Sequence, residues 1–405
     1  MIASMERRSI RLLHTADFHA GRVLKGRNRT PEIAAVLREI AQLASSEDVD
    51  AVLVAGDLYD SGNPGAEAEA AIFEFFLTLK EAGIPSVVIA GNHDSPPRLE
   101  SVAGLLSWVG AQVVAALQPQ DLGASVRSLQ TRHGSFQVAA LPYLSERRLV
   151  KAAELLAADL GAWRMKYQEG MAFFIRQLSS RFDPGVANVL MMHGTVTGAV
   201  PSGSERDFAF DMANAYTVDP QLFPSSASYV ALGHIHFQQP LAGLVPARYC
   251  GSPLQLDFGE AGQEKGVILA ELEPQRPAQV HFLPLSSGKP LLNLRASLDD
   301  LDQRLDALVD YPGWIKVVVE LPPGRAISGL RDAIVRRLPN VLAVDLDQAK
   351  PPEDSQPAAR SGLGLAELYG LYYQQRLGAL PPAVAAAFSE LDAEVREASR
   401  SGQPL

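Results

Sequence analysis

The stretch Ala51-Val-Leu-Val-Ala-Gly-Asp57 decides how the rest of the chain is read. An unbroken run of small and β-branched apolar residues suits a strand buried on both faces, the kind found inside parallel sheets. It stops on Gly56-Asp57, a tight turn followed by a carboxylate. The same arrangement recurs on either side. The strand expected at Ser9 to His14 runs into Asp17-Phe-His19, and Ser86 to Ala90 runs into Gly91-Asn-His-Asp94. Asn188 to Met192 leads to His193-Gly194, and Tyr229 to Leu232 leads to Gly233-His-Ile-His236. Between the first of these strands lie helical patterns. Thr30 can cap a helix with Pro31 at its first position, and Ile33, Val36, Leu37, Ile40 and Leu43 then share one face. A second helix is expected from Ala66 to Ala82, ending at Gly83. Strand–helix alternation of this sort predicts βαβ units and an α/β fold. Further strands are expected at Phe136 to Leu141, Val267 to Glu271 and Val280 to Leu283, spaced closely enough to suggest antiparallel or mixed sheet.

The chain has 405 residues, a length that suits about two to three domains. We expect the first to span residues 1–285. A small α/β module follows at 286–348, with strands at Leu291 to Arg295, Trp314 to Leu321 and Val341 to Leu346, and helices at Leu298 to Leu308 and Ile327 to Leu338. Residues 349–362 are rich in Pro, Ser and charge and read as a linker. Residues 363–405 read as a helical tail. There Leu365, Leu368, Tyr369 and Tyr372 share one face, and Val384, Phe388, Leu391 and Val395 share another.

The single cysteine, Cys250, excludes an internal disulfide framework and a Cys-rich zinc module, and fits a reducing compartment. The first residues carry Arg7, Arg8 and Arg11 without the apolar core of a secretory leader. No apolar run approaches the ~18 residues of a membrane helix. The expectation is a cytoplasmic protein that is not bound to a membrane. A net charge of −10 speaks against a simple nucleic-acid binder, whose affinity rests on Lys and Arg at phosphates. It leaves room for an enzyme that grips phosphate through metal ions and a local basic loop. The loop after the first motif fits that role, with Arg22, Lys25, Arg27 and Arg29 and no acidic residue between Phe18 and Pro31. Contacts of this kind position a phosphate backbone without reading its sequence.

Loops beyond the C-terminal ends of strands are where α/β folds build their sites. Six of the eight histidines, His14, His19, His93, His193, His234 and His236, fall in or beside the five motifs. His14 lies within the strand pattern and reads as a core residue; His133 and His281 match no motif. The candidate metal ligands are Asp17, His19, Asp57, Asn92, His193, His234 and His236. Seven donors exceed one tetrahedral site and suit two divalent ions about 3.5–4 Å apart, the arrangement used for phosphoester hydrolysis. A carboxylate is the natural bridge, one oxygen to each ion. Two divalent ions against two aspartates leave surplus positive charge that favours an anionic phosphate ester. Gly56, Gly91 and Gly233 are expected to allow tight turns with positive φ.

Taken together, Leu13-His-Thr-Ala-Asp-Phe-His-Ala-Gly21, Val54-Ala-Gly-Asp-Leu-Tyr-Asp60, Ala90-Gly-Asn-His-Asp-Ser95, Ala231-Leu-Gly-His-Ile-His236 and Arg248-Tyr-Cys-Gly-Ser-Pro253 resemble the calcineurin-like metallophosphoesterases, most closely their SbcD-type nuclease subunits. The resemblance implies a two-sheet αββα sandwich, the small α/β module as a capping, DNA-binding domain, and the helical tail as a docking element for a partner. It implies that Asp17, His19, Asp57 and His236 hold one ion and Asp57, Asn92, His193 and His234 the other, with manganese usual and Asp57 bridging. His93 would protonate the leaving 3′ oxygen or stabilise the transition state, with Asp94 orienting its ring. Some members carry a DNA-placing histidine three positions after the bridging aspartate; here that position is Asp60.

The implied activity is a 3′-to-5′ exonuclease on duplex DNA ends and an endonuclease on single strands or hairpins, in end processing and repair. The implied partner is an SbcC-type ATPase, in a heterotetramer of two nuclease and two ATPase chains. This sequence has no Gly-Xaa4-Gly-Lys-Ser/Thr phosphate loop, so ATP use falls to such a partner. Two alternatives keep part of this picture. One is a phosphatase or cyclic-nucleotide phosphodiesterase, which would have no use for the roughly 120 residues after Leu285. The other is a DNA-tethering scaffold, which would not need an intact ligand set and His93.

Overall fold

A computed structural model describes residues 9–118, 120–144, 167–202, 217–322 and 329–348, and in the tail 369, 373, 380–382 and 384–388. The strands, in chain order, are β1 (Ile10–Thr15), β2 (Val23–Leu24), β3 (Arg27–Asn28), β4 (Ala51–Ala55), β5 (Ser86–Ile89), β6 (Ala111–Val114), β7 (Val126–Thr131), β8 (Gly134–Leu141), β9 (Ala187–His193), β10 (Tyr229–Gly233), β11 (Gln239–Leu241), β12 (Ala247–Tyr249), β13 (Gly266–Leu272), β14 (Gln279–Pro284), β15 (Leu291–Ser297), β16 (Trp314–Leu321) and β17 (Val341–Gln348). They form two six-stranded sheets, ordered β14-β13-β1-β4-β5-β6 and β11-β12-β10-β9-β8-β7, with a three-stranded sheet β15-β16-β17 and the short hairpin β2-β3.

In the first large sheet β1, β4, β5 and β6 run parallel, and β13 and β14 continue it antiparallel. The second is mixed, as its close strand spacing suggests. Its middle, however, is parallel (β8, β9, β10 and β12), with antiparallel β7 and β11 at the edges.

Side-chain alternation builds the layers. In β4, Leu53 and Ala55 point toward the second sheet, where they meet Val138, Ala140, Val189, Met191 and Ala231 in a core between the sheets. Val52 and Val54 point the other way, onto Val36, Leu37 and Ile40 of helix Thr30–Ser46 and Phe75 and Phe76 of helix Ala66–Glu81. The second sheet does the same, turning Leu190, Met192, Val230 and Leu232 toward Phe174, Ile175 and Leu178 of helix Tyr167–Ser179. The result is a helix–sheet–sheet–helix sandwich. Each Leu, Ile or Phe buried in it contributes about 1.5–3 kcal/mol.

Helix Thr30–Ser46 begins one residue earlier than expected. Arg29 occupies the cap position, Thr30 is already helical, and Asn28 Oδ1 accepts the Thr30 N–H at 2.9 Å. Helix Pro96–Trp108 and strands β6 and β7 add elements that the apolar pattern does not single out.

The small sheet pairs β15 with β16 in parallel and buries Ile315, Val317 and Val319 against Leu301, Leu305 and Ile334. The expected helix Leu298 to Leu308 is shorter, Leu301–Asp306, and Ile327 to Leu338 appears as Leu330–Arg337. This sheet lies in one compact unit with the sandwich, and a second unit holds the tail from Gln348. In that second unit the rings of Tyr369 and Phe388 stack, with centroids 4.0 Å apart and planes 1° apart. Leu365, Leu368, Tyr372, Leu391 and Val395 lie outside the described residues, as does the 349–362 stretch. Among the described residues no helix is long and apolar enough to cross a membrane.

Candidate metal centre

β1, β4 and β5 are parallel neighbours, as are β9 and β10, so their C-terminal loops leave each sheet on one side. Main-chain bonds lace these loops together. Asp17 N–H donates to Gly56 O at 2.9 Å, His19 N–H to Asp57 O at 3.0 Å and Tyr143 N–H to Ala90 O at 2.9 Å. The Tyr143 bond joins the two sheets, as do two further contacts: His234 N–H donates to both Asp17 oxygens at 3.0 Å, and His193 Nδ1 lies 2.7 Å from Ala55 O.

Four candidate ligands sit in the left-handed region: Asp17 at φ 56°, His19 at 49°, Asp57 at 52° and His234 at 104°. Each such residue costs roughly 1–3 kcal/mol and persists only where its surroundings enforce it. The glycines serve a purpose other than the one expected for two of them. Gly56 does take φ +96°, but Gly91 and Gly233 are not left-handed. They are needed for close approach, since a Cβ would stand 2.1 Å from Asp57 Oδ1 at Gly91 and 2.0 Å from Ala55 O at Gly233.

The donor geometry is that of a cation pocket. His19 Nδ1 lies 3.2 Å from Asp60 Oδ1, and His236 Nδ1 lies 3.0 Å from Glu260 Oε1. A carboxylate only accepts, so both Nδ1 atoms carry a hydrogen, and a neutral ring then offers Nε2 as its ligand atom. The two Nε2 atoms lie 3.1 Å apart, close enough for both to reach one cation. His193 repeats the pattern. Its Nδ1 donates to Ala55 O, and its Nε2 lies 2.9 Å from Asn92 Oδ1. His234 Nδ1 lies 2.8 Å from the same Asn92 oxygen.

Asp57 stands between the two groups. Its Oδ2 is 3.6 Å from His19 Nε2 and 3.5 Å from His193 Nε2. Its Oδ1 accepts the His93 N–H at 2.8 Å. One oxygen, Oδ2, thus faces both groups. Asp17 approaches the ligand atoms of His19 and His236 on one side and of Asp57 and His193 on the other.

The charges agree with this. Burial drives the His19 ring down to about 3 despite its bond to Asp60, and drives His193 down as well, with His234 adding. Both rings are thus neutral at neutral pH, the form in which an imidazole can bind a metal. Burial, with Asp94 and Asp17 adding, pushes the Asp57 carboxyl up, a penalty that a bound cation would relieve. The residues present fit two divalent ions in oxygen and nitrogen donors.

His93 Nδ1 lies 2.9 Å from the Asp60 main-chain oxygen, which leaves Nε2 as the free end of the ring. Asp94 does not orient it. Its carboxylate accepts main-chain N–H groups instead, from Gly91 at 2.9 Å, Tyr59 at 3.1 Å and Leu58 at 3.3 Å. Asp94 therefore ties the loop of Asp57 to the loop of Asn92 and His93. His14 is a core residue, fully buried with Nδ1 2.9 Å from the Tyr229 hydroxyl.

The basic loop divides. Arg29 is not a surface contact: it is 0% exposed, its Nε and Nη2 each lie 3.0 Å from Glu32, and its Nη1 donates to Gln255 O. It belongs to a basic run in the sequence, but the helix start places Glu32 three residues on. Arg22 is half-buried and pairs with Asp60 Oδ1 at 3.1 Å. Lys25 and Arg27 are exposed, and the Arg27 guanidinium lies 4.7 Å from the Trp314 ring centroid.

Asp60 closes one of the quoted motifs without its part in the site being readable there, and Glu260 and Tyr143 lie outside those motifs. Asp60 joins His19 to Arg22, and although burial pushes its carboxyl up, those two partners hold it below the usual range. Glu260 supports His236. Tyr143 lies against His193 and His234, with ring centroids 6.1 and 6.3 Å away.

Comparison with known proteins agrees with this geometry. The profile of the calcineurin-like phosphoesterases matches residues 10–238. Among curated proteins, the chain is similar to the SbcD subunit of the SbcCD nuclease of Bacillus subtilis, 36% identical over 318 residues, covering 77% of this chain and 79% of that one. It is 30% identical to the same subunit of Escherichia coli, covering 76% and 78%. Against that of Rhodobacter capsulatus it is 32% identical over 384 residues, covering 86% and 90%.

Proposed function

The chain belongs to the calcineurin-like phosphoesterases, among the SbcD nuclease subunits, and from that membership we propose a two-metal DNA nuclease that works with an SbcC-type ATPase. The observation that carries the reading is the set of bare acceptors gathered around Asp57 Oδ2, with His19 Nε2 on one side and His193 Nε2 on the other. In this reading Asp17, His19, Asp57 and His236 hold one ion and Asp57, Asn92, His193 and His234 the other, with manganese the preferred metal.

Two bound divalent ions would polarise the phosphodiester and activate the attacking water. The protein's part is positional and protonic. The left-handed backbone at Asp17, His19, Asp57 and His234 fixes the donors before the ions arrive. His93 is held at Nδ1 by the Asp60 carbonyl, so its Nε2 can carry a proton to the leaving 3′ oxygen. Arg22, Lys25 and Arg27 would meet the phosphate backbone beside the site. The 3′-to-5′ exonuclease and hairpin endonuclease activities, the heterotetramer with two ATPase chains and a cytoplasmic location complete the proposal. The small sheet would cap the DNA and the tail would seat in the ATPase.

The purified chain with manganese, assayed on a DNA duplex, a DNA hairpin and p-nitrophenyl phosphate, tests the reading. We expect cleavage of both DNA substrates. Turnover of the small ester alone would favour a phosphatase, and no turnover of any would favour a scaffold.

A further inference from the structure

Glu260 is fully buried on the turn Phe258–Glu260, some 24 residues after the histidine it touches. Its Oε1 accepts from His236 Nδ1 at 3.0 Å. Its Oε2 lies 2.6 Å from Lys265 Nζ and accepts from Ser252 Oγ and Leu256 N at 3.2 Å. Lys265 is buried too, and its ammonium also donates to the His236 main-chain oxygen at 2.8 Å and to Ser252 Oγ at 3.0 Å. His236 is thus gripped twice, by its ring through Glu260 and by its backbone through Lys265. The turn has its own anchorage. Phe258 packs with Leu24, Leu291 and Trp314, and its carbonyl accepts Asn293 Nδ2 at 2.8 Å.

A buried ion pair is weak evidence for stability, because desolvating both charges offsets much of their attraction. A pair that grips one candidate ligand at two points has a use besides stability. We infer that Glu260 is a positioning residue for the metal centre. It fixes the His236 ring with Nε2 directed at His19, and Lys265 balances the buried Glu260 charge. Partners that fix the second nitrogen of a ligating histidine typically matter 10- to 100-fold in metal affinity. The inference rests on the proposal that His236 is a ligand.

Two charge-neutral double variants of the full chain separate positioning from stability. Both Glu260→Gln/Lys265→Met and Glu260→Leu/Lys265→Met remove the ion pair, but only the first keeps an acceptor for His236 Nδ1. Manganese is titrated by calorimetry below the melting temperature of each variant, with His236→Ala beside them. We expect the Gln/Met variant to bind two ions within about threefold of the unchanged chain. The Leu/Met variant should bind one ion about 10- to 100-fold more weakly and the other normally. Equal manganese binding by the two double variants overturns the inference, as does normal binding of both ions by Leu/Met when His236→Ala loses one. Undiminished binding by His236→Ala overturns the assignment of His236 as a ligand, and the inference with it.

Discussion

His19 and His236 turn Nδ1 to carboxylates, Asp60 and Glu260, whereas His193 turns Nδ1 to the main-chain carbonyl of Ala55. A carboxylate behind an imidazole makes it a stronger donor and fixes its tautomer, and a carbonyl mainly fixes the tautomer. The carboxylate-backed half therefore depends on side chains brought in from elsewhere in the fold. The other half depends on strand β4 lying against strand β9. The first half is also wired outward, because Asp60 joins His19 to Arg22 and its carbonyl holds His93. The lesson is that one half should be tunable by substitutions that touch no ligand, and the other should not.

The largest effect is expected at His93, which borders both halves. His93→Ala should keep both metal ions and DNA binding while turnover falls about 10²- to 10⁴-fold. Loss of an ion, measured by calorimetry, would make His93 a ligand of the carboxylate-backed half, whose His19 ring lies 4.7 Å from its own. A smaller effect is expected behind His19. Asp60→Ala should weaken one manganese ion about 10- to 100-fold and leave the other unchanged. Asp60→Asn, which keeps an oxygen acceptor for Nδ1–H, should lose less. Equal weakening of both ions would erase the distinction between the halves.

The smallest effect is expected at the hairpin edge. Replacing Arg22, Lys25 and Arg27 should lower the salt slope of duplex binding by about 0.9 for each phosphate no longer neutralised. Arg29 is left in place because removing it strands Glu32 in a largely buried position. Breaking such a pair costs about 3–5 kcal/mol and would be mistaken for weakened DNA binding. An unchanged slope would assign the hairpin to structure alone, with Arg27 serving Trp314 rather than DNA.

The gathering of the motif residues was legible because each motif follows a buried strand, and the fold brings the C-terminal ends of parallel strands together. The sandwich was legible in part. Ala51–Ala55 and Trp314–Leu321 have the bounds that their apolar runs suggest. Helix Pro96–Trp108 was hidden by the two prolines that open it, although proline suits the first turn of a helix. The supports behind the ligands were not legible, because they depend on approach in three dimensions. Asp60 meets His19 across 41 positions and Glu260 meets His236 across 24. Nothing in the stretch Leu254 to Glu260 singles Glu260 out, since it also carries Asp257, whose carboxylate only caps the local turn. Asp94 misleads for a related reason. Adjacency to His93 suggests a side-chain partner, but the turn aims its carboxylate at three main-chain N–H groups.

The central claim is the proposal that one buried carboxylate, Asp57, serves two metal ions. The most direct test is calorimetric titration of manganese into the purified chain, its Asp57→Asn variant and its His19→Ala variant. The account predicts two ions for the unchanged chain, one well-held ion for His19→Ala and weakened binding of both for Asp57→Asn. Two ions bound by Asp57→Asn with unchanged affinity would contradict it.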